Sequence, residues 1–235
     1  MDIGFPNAAV RAVDAASGGR FATILNLLLP LALLEAALWT PLPLAILCGI
    51  CGLSYMVWHT LQGATGVTRT LGLEVGGLLR ESWLLGATVA FAMAILATAY
   101  FTGSLHRLWG LQNPWYAIVG YACWALVQEF MLQCFFVRLL SALASRVGLL
   151  LLSGAVFSMA HLPNPSLTVI TFFAGIVFTT IYARKRNLYV VALMHAILGL
   201  TLAVSAPDTW FHGMRVGRDF LEGPTTIAAD ISAQR

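Results

Sequence analysis

From Trp83 to Phe101 the chain runs without a single charged residue. No other feature restricts the fold as much. Inside hydrocarbon there is no water to satisfy backbone N–H and C=O groups, so such a stretch must close its hydrogen bonds within itself, as a helix. Comparable apolar runs recur. Phe21–Leu38 is interrupted by Pro30 and carries Glu35 close to the Trp39–Pro43 turn, where it can reach the interface. Leu42–Trp58 contains Gly49, Gly52 and Ser54, small enough for close helix approach. Trp115–Leu139, Gly148–His161, Ser166–Ala183 and Leu188–Ala206 follow. Short alternating segments of a β-barrel are absent from the sequence. The expected fold is therefore an all-α polytopic membrane protein of about seven transmembrane helices. Composition agrees, since only 10% of the 235 residues are charged, against about 25% in a soluble domain.

The expected layout has three parts: an N-terminal arm over residues 1–20, one transmembrane domain over 21–206, and a polar tail over 207–235 with no sign of a packed core. The arm does not read as a cleavable leader, because it holds Asp2 and Asp14 and no small-residue cleavage site follows a short apolar core. Residues 59–82 are the longest polar stretch within the domain and read as an amphipathic segment on the membrane surface. Arg11, Arg20, Arg69, Arg80, Arg138, Arg146, Arg184, Lys185 and Arg186 fall on one side of the expected topology, with only Arg107 in the opposite loops and Arg215, Arg218 and Arg235 in the tail. The positive-inside rule then places the N-terminus in the cytoplasm and the C-terminus outside, in an integral protein of the bacterial inner membrane. The net charge of +3 is spread among loops, so no nucleic-acid partner is expected. Cys48, Cys51, Cys123 and Cys134 lie in apolar runs and read as packing residues rather than a disulfide framework.

The chemistry is concentrated in the last four apolar runs. Leu126–Phe136 carries Gln128, Glu129 and Gln133 in an otherwise apolar span. A carboxylate at that depth costs about 2.5–3.5 kcal/mol, so it persists where something compensates or uses it. Histidines in two later runs, His161 and His195, are the available partners. Thus catalytic-type residues sit on the fourth, fifth and seventh expected helices. A buried acid with two imidazoles can form a general base with its orienting partners, or a pair that stabilises an oxyanion. Two histidines and a glutamate are also suitable zinc ligands. No His-Glu-x-x-His spacing accompanies them, however, and neither a metal nor another cofactor is expected. A proton relay in a small transporter is a further reading, but the sequence shows no repeated hydropathy pattern and no matched pair of broken helices.

These positions resemble the CPBP (CAAX-prenyl-protease and bacteriocin-processing, or ABI) family of intramembrane proteases. Gln128-Glu129-Phe130-Met131-Leu132-Gln133 stands where the family has Glu-Glu-x-x-x-Arg, Phe157–His161 matches Phe-x-x-x-His, and His195–Gly199 stands for His-x-x-x-Asn. The likeness extends over about residues 70–200. It implies an endopeptidase that hydrolyses a peptide bond of a membrane-associated protein, such as a prenylated C-terminus, a leader or a C-terminal sorting tail. By resemblance, Glu129 would activate water, His161 would assist it, and His195 would stabilise the oxyanion with Gln128 and Gln133 in support. Gln128 replaces the family's usual water-activating acid, Gln133 its arginine and Gly199 its asparagine. The resemblance therefore also admits an inactive member that acts as a membrane binding or immunity protein. Depth raises a separate expectation. His161 falls about 20 Å along its helix and His195 only about 10 Å along its own, so a straight reading keeps them apart.

Overall fold

The computed structural model describes residues 19–62, 66–105 and 114–223. Most of the N-terminal arm, His106, Arg107 and the end of the tail lie outside the described residues. The described residues form helices and connecting turns, with no strand among them. In order they are α1 (Arg20–Trp39), α2 (Leu44–Leu61), α3 (Val67–Leu71), α4 (Val75–Arg80), α5 (Ser82–Thr102) and α6 (Pro114–Glu129). A π-helical segment (Phe130–Phe136) then leads into α7 (Val137–Leu143), followed by α8 (Arg146–Met159), α9 (Pro165–Lys185) and α10 (Leu188–Ser205). Three short elements close the described chain: α11 (Asp208–Phe211), a 3-10 turn (His212–Met214) and α12 (Gly217–Glu222).

The protein is an all-α polytopic membrane protein. Six helical stretches are long and apolar enough to cross a bilayer: α1, α2, α5, the continuous Trp115–Leu143 stretch, α9 and α10. The expected fifth span, Gly148–His161, corresponds to α8, and at 14 residues it is shorter than the other six. It rises about 21 Å, against a hydrocarbon core of about 30 Å. Burial ranks the spans. In α10, 61% of the spanning window is buried, against 11% in α1. The histidine-bearing α10 is therefore central and α1 peripheral. α10 packs between α5 and α6, α1 pairs with α2, and α8 pairs with α9. The α8–α9 approach depends on Gly154 and Gly175, where a Cβ on Gly175 would lie 3.1 Å from the Gly154 Cα.

The polar stretch before α5 is more than a surface float. Its inner side is docked on the α9–α10 turn. Tyr182 donates to the Leu71 carbonyl at 3.2 Å, and the Leu188 N–H donates to the Gly72 carbonyl at 2.9 Å. Asn187 donates to the Glu74 carbonyl at 2.8 Å while its Oδ1 caps α10 by accepting from the Val190 N–H. Gly72 has φ +69 and lies against the Arg186 carbonyl, so conformation and space both exclude a side chain. Lys185 Nζ is 2.7 Å from the buried Glu81 carboxylate, which Arg80 also contacts. Val75 and Leu79 on the outer side stay exposed, as the amphipathic reading expects.

The Lys185 hydrogen bond holds the Glu81 carboxyl below its ordinary range, against the opposing effect of burial. A depressed folded value means the pair stabilises above the unfolded carboxyl's pKa, and the contribution fades as pH falls through the lower folded value. Glu81→Gln is expected to cost about 1 kcal/mol, given the water that reaches Lys185. Unfolding midpoints of wild type and variant in detergent should differ at neutral pH and converge in acid.

The C-terminal stretch also departs from the expected coreless tail. Phe211 joins Leu167 and Ala206 in a small second core, with Leu202, Met214 and Val216 packed against it. His212, Gly213 and Met214 all adopt left-handed backbone, with φ of 50, 64 and 61. That conformation costs about 1–2 kcal/mol for each non-glycine residue. The segment shows no helical or strand periodicity in sequence because its apolar residues are placed by turns.

Candidate active site

The site is built around the end of α6. α6 stops at Glu129, and the helix continues as seven residues of π-helix before α7 resumes. The Val137 N–H still reaches back five residues, to the Leu132 carbonyl. Wide turns of this kind occur often at functional sites. Here the turn carries Gln133, which is buried with Glu129 above it.

Glu129 is fully buried, at 0% exposure. One carboxylate oxygen is 3.0 Å from His195 Nδ1, and the other accepts from Gln133 Nε2 at 3.0 Å. Gln133 Oε1 has no hydrogen-bond partner among the described residues. The His195 ring is stacked on Phe178 at 5.7 Å and meets Phe157 edge-on at 5.4 Å. Its orientation is thus fixed on both faces and at Nδ1. Nδ1 is committed to Glu129, so Nε2 is the ring nitrogen left to meet a ligand.

His161 sits in the turn after α8, with Nδ1 2.8 Å from the Phe157 carbonyl. A carbonyl only accepts, so Nδ1 carries the hydrogen and Nε2 holds a lone pair in the neutral ring. The Phe157 ring touches the His161 ring at 5.2 Å and the His195 ring at 5.4 Å, standing between two imidazoles that the straight reading kept apart. The difference has a local reason: α8 ends at Met159, and the turn that follows folds His161 back onto the Phe157 carbonyl.

Both histidines line a cavity of about 500 Å³. Gln128 lines it too, whereas Glu129 and Gln133 stand behind the wall. The acid expected to meet water therefore meets an imidazole instead. Among the described lining residues there is no carboxylate, and the imidazoles facing the space are those of His161 and His195. The remaining wall is mostly apolar, with Met131, Leu132, Phe136 and Leu198 among its members. No cluster of three metal-ligating side chains occurs among the described residues.

Sequence reading missed three members of the site. Tyr121 and Trp124 line the cavity from α6 and look like ordinary aromatic residues of an apolar run. The Tyr121 hydroxyl occupies the space into which any side chain on Gly199 would project. Asn164 was visible only as part of a helix-breaking Leu162-Pro163-Asn164-Pro165 turn. It is fully buried, and its Oδ1 accepts from the Leu167 N–H to cap α9. An asparagine before a proline at the first helical position was the available signal.

Residues 109–201 match the family model for the type II CAAX prenyl endopeptidases, Rce1-like. Over these residues the chain is similar to that family. The matched Rce1-like stretch spans less than half of the chain and contains every site residue read from the sequence: Gln128, Glu129, Gln133, His161 and His195. The CPBP resemblance of the three motifs and the Rce1-like match thus coincide on the same helices. The α1–α2 hairpin lies before the Rce1-like stretch and the C-terminal turns after it. Neither a curated protein nor a solved structure matches the chain.

Proposed function

We propose that this protein is an intramembrane endopeptidase of the CPBP type, cleaving a peptide bond of a membrane-associated protein near an attached apolar group. The observation that carries this reading is the wall shared by His161, His195 and Gln128, with Glu129 holding His195 from behind. The His161 Nε2 lone pair takes a proton from water as the water oxygen adds to the scissile carbonyl. Negative charge develops on the carbonyl oxygen, where His195 Nε2–H and the Gln128 amide donate hydrogen bonds. Glu129 keeps the proton needed for that donation on the His195–Glu129 pair. Collapse of the tetrahedral intermediate breaks the C–N bond, and His161 returns its proton to the leaving amine. The apolar wall suits a prenyl chain or another hydrocarbon group next to the cleaved bond, which favours a prenylated C-terminus over a leader or sorting tail. The charge distribution supports a bacterial inner-membrane protein with a cytoplasmic N-terminus.

One observation favours a second reading. The cavity-facing position of the glutamate pair holds Gln128, which cannot take a proton at neutral pH. On that reading the protein binds lipid-modified tails without cleaving them. The two are separated by reconstituting the full chain in lipid with prenylated, leader-type and sorting-tail peptides and analysing products by mass spectrometry. Wild type is expected to cleave, and Gln128→Glu to cleave about a hundredfold more slowly, because a carboxylate there replaces an oxyanion donor with negative charge. If wild type binds and releases peptide intact while Gln128→Glu gains cleavage, the binding reading replaces the peptidase one.

A further inference from the structure

We propose that Met214 sets how long a hydrocarbon group the cavity accepts, with Asn164 as the positioning residue that holds it in place. The inference rests on the peptidase reading for the chemistry of the occupant. Transmembrane helices supply most of the cavity wall, but Gly213, Met214 and Val216 come from beyond the Rce1-like stretch. This part of the wall is a strap added to the scaffold, and it has the least regular backbone in the described chain.

Three successive left-handed residues, two of them not glycine, persist only where their surroundings over-determine them. The surroundings do so here. Asn164 is fully buried, and its amide donates to the Phe211 carbonyl at 2.8 Å and the Arg215 carbonyl at 3.1 Å. Those acceptors bracket the turn, so one side chain clamps both of its ends. Arg215 Nε donates to the His212 carbonyl at 2.9 Å, and the Gly217 N–H donates to the Leu162 carbonyl at 2.7 Å. Asn164 and Leu162 belong to the turn that carries His161. The strap and the reactive imidazole therefore share one anchor.

The side chain clamped in the wall is chemically suited to a stop. Methionine is unbranched, apolar and rotatable about three bonds, so it fills irregular space against a hydrocarbon chain without a polar cost. Met214 is half-buried and packs on the second core, so its reach into the cavity is fixed relative to Leu167 and Phe211. Shortening it lengthens the cavity at one end and leaves His161, His195 and Gln128 in place.

The test uses the full chain in lipid with peptides that differ only in a shorter or longer thioether-linked hydrocarbon chain. Met214→Ala and Met214→Gly are expected to move the ratio of kcat/KM for longer over shorter substrates upward by about tenfold. Met214→Leu should keep the wild-type ratio, and Asn164→Ala should loosen it. Glycine relieves the left-handed strain and offsets part of the packing lost with Met214, so Met214→Gly should be no less stable than Met214→Ala, and a ratio shifted in both separates altered selectivity from misfolding. A ratio within about twofold of wild type in both shortened variants overturns the inference while leaving the peptidase reading standing. If wild type cleaves nothing, the peptidase reading fails by itself, and the same ratio taken from binding constants of fluorescent peptides decides the inference. Absence of both cleavage and binding rejects both.

Discussion

Glu129→Gln is expected to lower peptide cleavage by about 10²-fold while leaving the protein folded. The amide has the shape of the carboxylate and can still meet His195 Nδ1 and Gln133, so packing around the fully buried position is retained. What it loses is the negative charge behind the imidazole: with its oxygen still accepting from Gln133, the amide donates to Nδ1 and leaves Nε2–H as a weaker, uncharged donor. Weakening an oxyanion donor costs at most the lower end of the roughly 10²–10³-fold that removing one costs. His195→Ala is expected to cost about 10²–10³-fold through loss of the oxyanion donor, and it leaves a buried carboxylate without its imidazole. The two variants should therefore separate in thermal unfolding, with Glu129→Gln the more stable. Cleavage by Glu129→Gln at close to the wild-type rate would remove Glu129 from the mechanism.

The second large effect is expected far from any titratable group. A Cβ at Gly154 would lie 2.6 Å from the Phe172 carbonyl oxygen, and backbone cannot swing aside as a side-chain tip can. Gly154→Val must push α8 off α9. Overpacking of this kind costs about 1–3 kcal/mol. Its effect on cleavage should be larger than the stability loss implies, because Phe157 lies on the displaced helix and contacts both imidazole rings. A misplacement of about 1 Å can cost on the order of a hundredfold in rate. Gly120→Ala is the matched control, since nothing lies within 4 Å of a Cβ placed there. Unfolding midpoints and cleavage rates of the two variants, measured side by side, check the expectation.

Much of this architecture is legible in the sequence because a membrane helix announces itself by what it lacks. The charge-free run of α5 and the apolar lengths of α1, α9 and α10 locate the helices to within a few residues. Glu129, His161 and His195 are legible for the complementary reason: an ionisable residue in an apolar run stands out. The side of the helix that Glu129 faces is not legible. The choice between Gln128 and Glu129 as the cavity-facing residue depends on helix phase, and the π-helical segment alters that phase without a signature in its letters. The strap is hidden for another reason. Phe211, Met214 and Val216 are set by turn geometry and by an asparagine almost fifty residues earlier in the chain, so no local period reveals them. Tyr121 is recognisable only after Gly199 has been placed next to it.

The shortness of α8 has a consequence for the surrounding lipid. Val147, Leu151 and Leu152 point outward from it, so this face belongs to the acyl chains. Those chains meet a band of protein about 9 Å shorter than a typical hydrocarbon core. A bilayer answers such a mismatch by thinning locally. Such thinning would bring the headgroup layer, with its water and the polar end of a substrate, closer to His161. Membrane thickness thereby becomes a variable in the reaction: lipids with longer acyl chains should slow cleavage by lengthening the path to the imidazole, with no change in any side chain.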